Sequence, residues 1–189
     1  MALISIAETI NIVIATLVVG YIFTGLFNLR LSRKDVLDVY TKGFDWNEFW
    51  FACLVAAPGV VLHEMAHKFV ALAFGLSAVF KLSYFGLILG VMLKFFSAGF
   101  IVLAPGYVQI FGGNNLQVIL TAFSGPFMNF LLFFTAFLTV KYKMNMTRRE
   151  AIFWNLTKNI NKWLFIFNIL PIPPLDGFKF WYGLFQLLF

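Results

Sequence analysis

Two histidines and a glutamate lie inside an apolar stretch of the chain, VVLHEMAHKFVALAFG, which runs from 60 to 75. If this stretch is a helix, His63 and His67 share one face, with Cβ atoms about 5–6 Å apart. Two imidazoles at that spacing can bind one zinc ion at about 2.0–2.1 Å each. Glu64 lies beside the first ligand, where it can take a proton from water and pass it to a leaving amine. The pattern is the HExxH signature of zinc peptidases.

The same residues also allow a structural interpretation, in which two buried histidines happen to lie near an unrelated glutamate. Membrane insertion weighs against it, because a charged side chain at the centre of a transmembrane helix costs about 2.5–3.5 kcal/mol. The sequence therefore favours a metal site with one Zn2+ per chain.

A third ligand must come from elsewhere, because the chain contains only two histidines. Downstream of His67 the acidic residues are Glu150 and Asp176. Glu150 ends a basic loop and is expected in water, whereas Asp176 lies in the last apolar segment, where a carboxylate needs a cation. Four acids upstream share a charged linker with arginines and lysines and are expected to be solvated: Asp35, Asp38, Asp45 and Glu48. The predicted ligands are thus His63, His67 and Asp176, with a fourth position open for water, as in catalytic zinc sites.

The composition indicates that these residues belong to a membrane protein. Of 189 residues, 61% are hydrophobic and 12% are charged, and the mean hydropathy is +0.89. So much apolar surface cannot be buried in one water-soluble core of this size. The net charge of +6 comes from Lys and Arg at segment ends, which suits a lipid surface and not nucleic acid. We expect an integral, multi-pass protein of the cell membrane.

The apolar segments predict an all-α polytopic fold with about four transmembrane helices. The first three lie at 9–27, 49–75 and 117–140. The fourth, near the C-terminus, is expected to unwind around 171–176 and to resume as a helix, because prolines cannot lie in an unbroken helix. The predicted helix breakers are Pro171, Pro173 and Pro174, together with Pro126 in the third segment.

Residues 76–116 are apolar but contain lysines, a proline and several glycines. They fit either a further span or a re-entrant β-hairpin. Irregular backbone at membrane depth is tolerated only where protein or a water-filled cavity surrounds it. We divide the chain into 1–48, a first transmembrane helix with a charged linker, and 49–189, a catalytic core.

Three motifs, in this order, resemble those of the site-2 proteases, a family of intramembrane zinc metalloproteases. HEMAH at 63–67 is followed by SGPFMN at 124–129, which looks like the family's GPxxN stretch, and by NILPIPPLDG at 168–177. The resemblance covers residues from about 49 to 180. It implies the same three zinc ligands and the same general acid/base as above.

The resemblance also implies that Asn129 and Asn168 are polar groups near the site, for the substrate backbone or the oxyanion. Amide donors are suited to stabilising a developing oxyanion. The alternative is a hydrogen bond between helices that only holds the bundle together. In this family the region matching 76–116 is commonly a membrane-associated β structure. That favours the re-entrant hairpin, whose strand edge would pair with an unwound substrate.

The predicted function is intramembrane proteolysis, in which a zinc-activated water, with Glu64 as base, hydrolyses peptide bonds within transmembrane segments of other proteins. Such cleavage would release tethered regulators, as in regulated intramembrane proteolysis. The expected partners are transmembrane substrates and the lipid bilayer. Orientation stays open, because the positive-inside rule and the family's arrangement disagree.

Two alternatives come from other classes of protein. One is a catalytically silent membrane scaffold that keeps the zinc site for structure. Glu64 weighs against it, since a structural site has no use for a base, and such sites usually have four protein ligands. The other is a zinc transporter, which would need acidic or histidine residues along several spans, and these spans contain few of them.

Overall fold

A computed structural model of the chain describes residues 3–25, 27, 44–96 and 105–189. These residues form six helices and a small two-stranded sheet, which confirms the predicted all-α polytopic class. Most of the expected charged linker, residues 28–43, lies outside the described residues. In chain order the elements are α1 (Ile6–Phe23), α2 (Trp46–Ala73), β1 (Ser77–Leu82), α3 (Tyr84–Phe95), β2 (Gly106–Phe111), α4 (Asn115–Tyr142), α5 (Arg148–Ile169) and α6 (Asp176–Leu188).

Three of the described helices, α1, α2 and α4, are long and apolar enough to cross a membrane. They match the first three predicted spans to within a few residues at each end. The fourth predicted segment corresponds to α5 and α6, which are separated by non-helical residues 170–175. Pro171, Pro173 and Pro174 all lie in this break, as predicted from their inability to continue a helix.

Local capping explains where most of the described helices begin. In three of them the N-cap side chain and the side chain three residues later accept each other's backbone N–H, which forms a capping box. Helix α6 differs, because it begins at Asp176 without a side-chain cap. The carboxylate of its first residue is therefore available for another partner. The three capping boxes are Ser5–Glu8 in α1, Asn114–Gln117 in α4 and Thr147–Glu150 in α5.

Pro126 does not break a helix, and that prediction was wrong. Helix α4 continues through it without interruption, and the Pro126 side chain is fully buried. A proline inside a helix removes one backbone hydrogen bond. Membrane helices tolerate this loss when neighbouring helices support the chain. Here α2 and α5 both pack against α4, so the helix persists.

The strands β1 and β2 form a two-stranded antiparallel sheet in which Phe80 pairs with Val108. The sheet agrees with the predicted β structure in 76–116, but helix α3 lies between its strands, so the connection is not a tight turn. Helix α3 has 12 residues and rises roughly 18 Å at 1.5 Å per residue. It is too short to cross a hydrocarbon core of about 30 Å. Residues 97–104, within the segment predicted as a hairpin, lie outside the described residues.

The sheet packs against α1 and α2 through an apolar core. Because β1 alternates, one of its faces is buried and the other exposed. The buried core residues at this junction are Ala15, Met65, Phe80, Leu82 and Leu87. This contact places the sheet beside the part of α2 that carries the HExxH motif.

Candidate metal centre

His63 and His67 of α2 meet Asp176 of α6 at one point. Asp176 Oδ2 lies 3.0 Å from His63 Nε2 and 3.1 Å from His67 Nε2, and the two Nε2 atoms are 3.1 Å apart. Both histidines are buried, whereas the Asp176 side chain is 21% exposed. Within the described residues, these three form the group of His, Cys, Asp and Glu side chains that could hold a metal ion.

Hydrogen bonds to the other ring nitrogens indicate that these Nε2 atoms carry lone pairs. His63 Nδ1 donates to Asn129 Oδ1 over 2.6 Å, and His67 Nδ1 donates to the backbone oxygen of Thr121 over 2.7 Å. In a neutral imidazole with a proton on Nδ1, Nε2 is an acceptor. Two acceptor nitrogens and a carboxylate oxygen therefore face one another, an arrangement that a cation stabilises. Two imidazoles and a carboxylate are also a donor set of catalytic zinc sites.

Gly125 provides the space on the α4 side of this group. A Cβ atom at position 125 would lie 2.7 Å from His63 Nε2 and still closer to His67 Nε2. Any larger residue would therefore enter the space that the two ring nitrogens share. The glycine of the SGPFMN motif thus has a steric role at the site.

Asn129, predicted near the site, lies in it as a partner of a ligand. Its side chain is completely buried, and its amide nitrogen donates to the Gly59 backbone oxygen over 2.8 Å and to Asn161 Oδ1 over 3.0 Å. Asn129 Oδ1 accepts from His63, so both ends of the amide are used inside the helix bundle. In the structure, this residue orients His63.

Two groups that orient the ligands were missed by the sequence analysis. Asn161 of α5 is 1% exposed, and it connects Asn129 to the Thr157 backbone oxygen over 2.8 Å. The other group is the backbone carbonyl of Thr121, which orients His67. A buried asparagine in an amphipathic helix is a weak signal that could have suggested Asn161. A carbonyl gives no signal, since every residue has one.

Asn168, the second predicted asparagine, lies near the end of α5 and is half-buried. Within the described part of the chain, its side chain makes no hydrogen bond. Unlike Asn129, it keeps its amide available for another molecule.

Glu64 lies one residue after His63 and is also partly buried. The backbone of Val108 in β2 is close enough to interact with its carboxylate, and Asp176 and Lys179 of α6 are among the charges that act on it. The predicted base is thus positioned between the metal group on one side and the sheet on the other. From there it can exchange a proton with water close to the three ligands.

Helices that are long and apolar enough to span a membrane, together with a His–His–Asp group that could hold a metal ion, are the features of a membrane metalloprotein. No protein-family model matches the chain. A protein of Methanocaldococcus jannaschii with the name "putative zinc metalloprotease" is 31% identical over 169 residues, which cover 79% of this chain and 84% of that protein. A protein of Bacillus subtilis with the same description is 31% identical over 137 residues, covering 62% of this chain and 61% of that protein. The chain belongs to this zinc metalloprotease family, and its metal cofactor is Zn2+.

Proposed function

We propose that the protein is a site-2 type intramembrane endopeptidase, which cleaves transmembrane segments of other proteins. The observation that supports this most directly is the location of the metal group. His63 and His67 lie within α2, one of the helices long enough to span a membrane. Glu64 lies next to them. A peptidase built in this way would act on substrates inside the bilayer, and we place it in the cell membrane, where cleavage would release tethered regulators.

The residues around the metal divide the work of hydrolysis. When bound, zinc supplies Lewis-acid chemistry, acidifying water and polarising a carbonyl group. His63, His67 and Asp176 would hold it, while Asn129 and the Thr121 carbonyl keep the two imidazoles in the required tautomer and orientation. Glu64 takes a proton from the attacking water and gives it to the leaving amine.

The two-stranded sheet is the part of the molecule that would bind an extended substrate. Peptide hydrolysis requires accessible carbonyl groups, so a transmembrane helix must unwind before it is cut. An unwound segment that pairs with the outer edge of β2 would lie about 4.7–4.9 Å from that strand. Since the Val108 backbone lies close to Glu64 at that edge, the added strand would replace this contact and lie beside the base and the metal group.

Asn168 is the better candidate of the two asparagines for contact with the substrate. Asn129 uses its amide for the fold, whereas Asn168 has an unpaired, half-buried amide near the break between α5 and α6. A donor there is suited to a substrate carbonyl or to the oxyanion that forms from it.

The proposal is tested by the variant Glu64→Gln in proteoliposomes. The probe is a set of single-span helices with a tag at each end, incubated with zinc-loaded protein, and the fragments are identified by mass spectrometry. General acid–base catalysis is worth about 10²- to 10⁴-fold, so we expect Glu64→Gln to lose cleavage by that factor and to keep its zinc. Equal fragment yields from both proteins would contradict the role of Glu64. Zinc binding without cleavage of any helix would favour the silent scaffold.

The matched control is Glu150→Gln, which removes a carboxylate outside the three spanning helices. The Lys143 side chain donates a hydrogen bond to Glu150 and, with Thr147, lowers the pKa of Glu150 to about 2. Glu150 is therefore charged at any practical assay pH, and the control removes a full charge. We expect cleavage and zinc content to stay at the wild-type level.

A further inference from the structure

A buried ion pair lies on the side of α2 that faces α1 and the sheet, next to the side that carries the metal group. Lys68 of α2 is 1% exposed and Glu8 of α1 is 5% exposed, and their side chains form an ion pair. Glu8 Oε1 also accepts the backbone N–H of Phe80 in β1 over 2.8 Å. Its other oxygen accepts the backbone N–H of Ser5 over 2.8 Å, as part of the capping box of α1. One carboxylate therefore joins α1, α2 and β1.

Lys68 shares a face of α2 with the general base. It follows Glu64 by four residues, so the two side chains project from the same side of the helix, one turn apart. Glu64 interacts with β2 and Lys68 reaches β1 through Glu8. The two contacts lie on the two strands of one sheet.

The sheet register determines which backbone groups face outwards. In an antiparallel pair, opposite residues alternate between exchanging hydrogen bonds and pointing their backbone groups away from each other. Because Phe80 donates its N–H to Glu8, Phe80 and Val108 are a pair of the second kind. The hydrogen bond from Ser83 N–H to the Pro105 backbone oxygen, at 3.0 Å, continues the same alternation. The Val108 N–H consequently points to the opposite edge, where Glu64 lies.

We propose that Glu8 and Lys68 are positioning residues that close the outer edge of β1 and hold the sheet so that the outer edge of β2 faces Glu64. The inference rests on the proposed function, since it assigns the substrate to one of two strand edges. Glu8 occupies the outward N–H of β1 that an extended peptide would otherwise use. The corresponding N–H of β2, at Val108, faces Glu64, which is not held by Lys68 as Glu8 is. A substrate that pairs with the sheet would displace Glu64 from Val108 and is thereby directed to β2, beside the base.

The pair needs both charges because of its burial. A carboxylate can accept from Phe80 at this depth only if a cation compensates it, and Lys68 is that cation. The hydrogen bond from Phe80 to Glu8 holds β1 in place, and the positive charge of Lys68 compensates the negative charge of the buried Glu8 carboxylate. This division of roles predicts that an uncharged acceptor at position 8 can replace the pair.

Two double variants separate the acceptor from the charge. Glu8→Gln/Lys68→Met removes both charges and keeps a carbonyl oxygen for the Phe80 N–H. Glu8→Leu/Lys68→Met removes both charges and the acceptor. Neither leaves an unpaired charge buried, so both avoid the main reason for which a single variant would fail to fold. Glu150→Gln again serves as the control for loss of an exposed ion pair.

Three measurements are made on each variant: zinc per chain, hydrogen exchange of the peptide that contains 77–82, and KM and kcat for a cleaved helix. For the glutamine variant we expect near wild-type values in all three. For the leucine variant we expect zinc to be retained, exchange in β1 to be faster, and KM to rise about 3- to 10-fold, in keeping with one lost hydrogen bond, with kcat little changed.

Other outcomes would overturn the inference. Equal exchange and equal KM in the two double variants would mean that the acceptor has no role and that the pair only ties α1 to α2. Loss of zinc in the leucine variant would mean that the pair supports the whole bundle. If no helix is cleaved by the wild type, the proposed function fails, but hydrogen exchange still decides whether Glu8 holds β1.

Discussion

Helix α2 carries two polar stripes side by side, and they are built in different ways. His63 and His67 form the stripe that faces α4 and α6, and Glu64 and Lys68 form the stripe that faces α1 and the sheet. Each pair has a spacing of four residues. The first stripe is oriented by uncharged groups, an amide and a carbonyl, which leave the Nε2 lone pairs available for metal. The second is secured by an ion pair that neutralises its own charge.

The difference follows from the function of each stripe: the first must keep donor atoms free for a metal, and the second must compensate its buried charge. A metal site requires donor atoms with no proton and no competing cation, so the groups that orient the imidazoles, the Asn129 amide and the Thr121 carbonyl, carry no charge. A strand-positioning contact requires the opposite, since every buried charge must be compensated. The two stripes should therefore respond separately to mutation, with zinc affinity depending on the first and substrate binding on the second.

The largest effect is expected from Asp176→Asn, on the metal stripe. Asparagine keeps the size of the side chain but removes the negative charge of the third ligand, so most of the zinc should be lost. We expect about one zinc per wild-type chain, since three ligands from two helices make one site, and a small fraction of that in the variant. Zinc is measured by mass spectrometry of the purified protein after reconstitution with metal.

Glu150→Gln is the control for Asp176→Asn, because it removes an acidic charge that is paired with Lys143 and does not belong to the metal group. It should keep its zinc. If Asp176→Asn also kept its zinc in full, Asp176 would not be a ligand, and the convergence of α6 on the histidines would need another explanation.

A smaller loss is expected from Asn129→Ala, which leaves the three ligands in place. The variant frees the Nδ1 group of His63, so the imidazole loses its fixed tautomer and orientation. Loss of such a partner typically weakens metal binding about 10- to 100-fold. A competition titration with a chelator measures the zinc affinity. Asn168→Ala is the matched control and should bind zinc like the wild type, and equal affinities for both variants would contradict the orienting role of Asn129.

The two stripes also differ in how far the sequence predicts them. His63 and His67 are separated by four residues in an apolar segment, and a single acid, Asp176, lies in the last apolar segment. Few residues of the chain could complete that site. The spacing of the histidines and the cost of burying a carboxylate were therefore enough to predict its three ligands. The α5–α6 break was predictable for a related reason, because proline excludes a helix locally.

In the second stripe, Glu64 was predicted from the HExxH motif, but the pairing of Lys68 with Glu8 could not be predicted in this way. Glu8 lies 60 residues before Lys68, and Ser5-x-x-Glu8 fits a capping box, which explains Glu8 without any distant partner. The prediction that Pro126 breaks α4 failed for a similar reason, since a proline inside this helix is tolerated because of packing against helices that are distant in sequence. Asn161 and the Thr121 carbonyl likewise act through contacts between helices. Tertiary packing, and not local pattern, decides all of these positions.

The smallest effect is expected from Val108→Pro. This change lies in β2 beside Glu64, the general base of the second stripe. Val108 N–H points outwards from β2, towards Glu64, so proline removes the donor that a substrate would take over from Glu64 without removing a bond to β1, and proline is tolerated on strand edges. One lost hydrogen bond is worth about 0.5–1.5 kcal/mol, so kcat/KM should fall about 3- to 10-fold while zinc content stays unchanged. Gln109→Ala keeps every backbone donor of β2 and is the matched control. Wild-type cleavage by Val108→Pro would mean that substrates do not pair with β2 at Val108, and the sheet would then act only as support for α2.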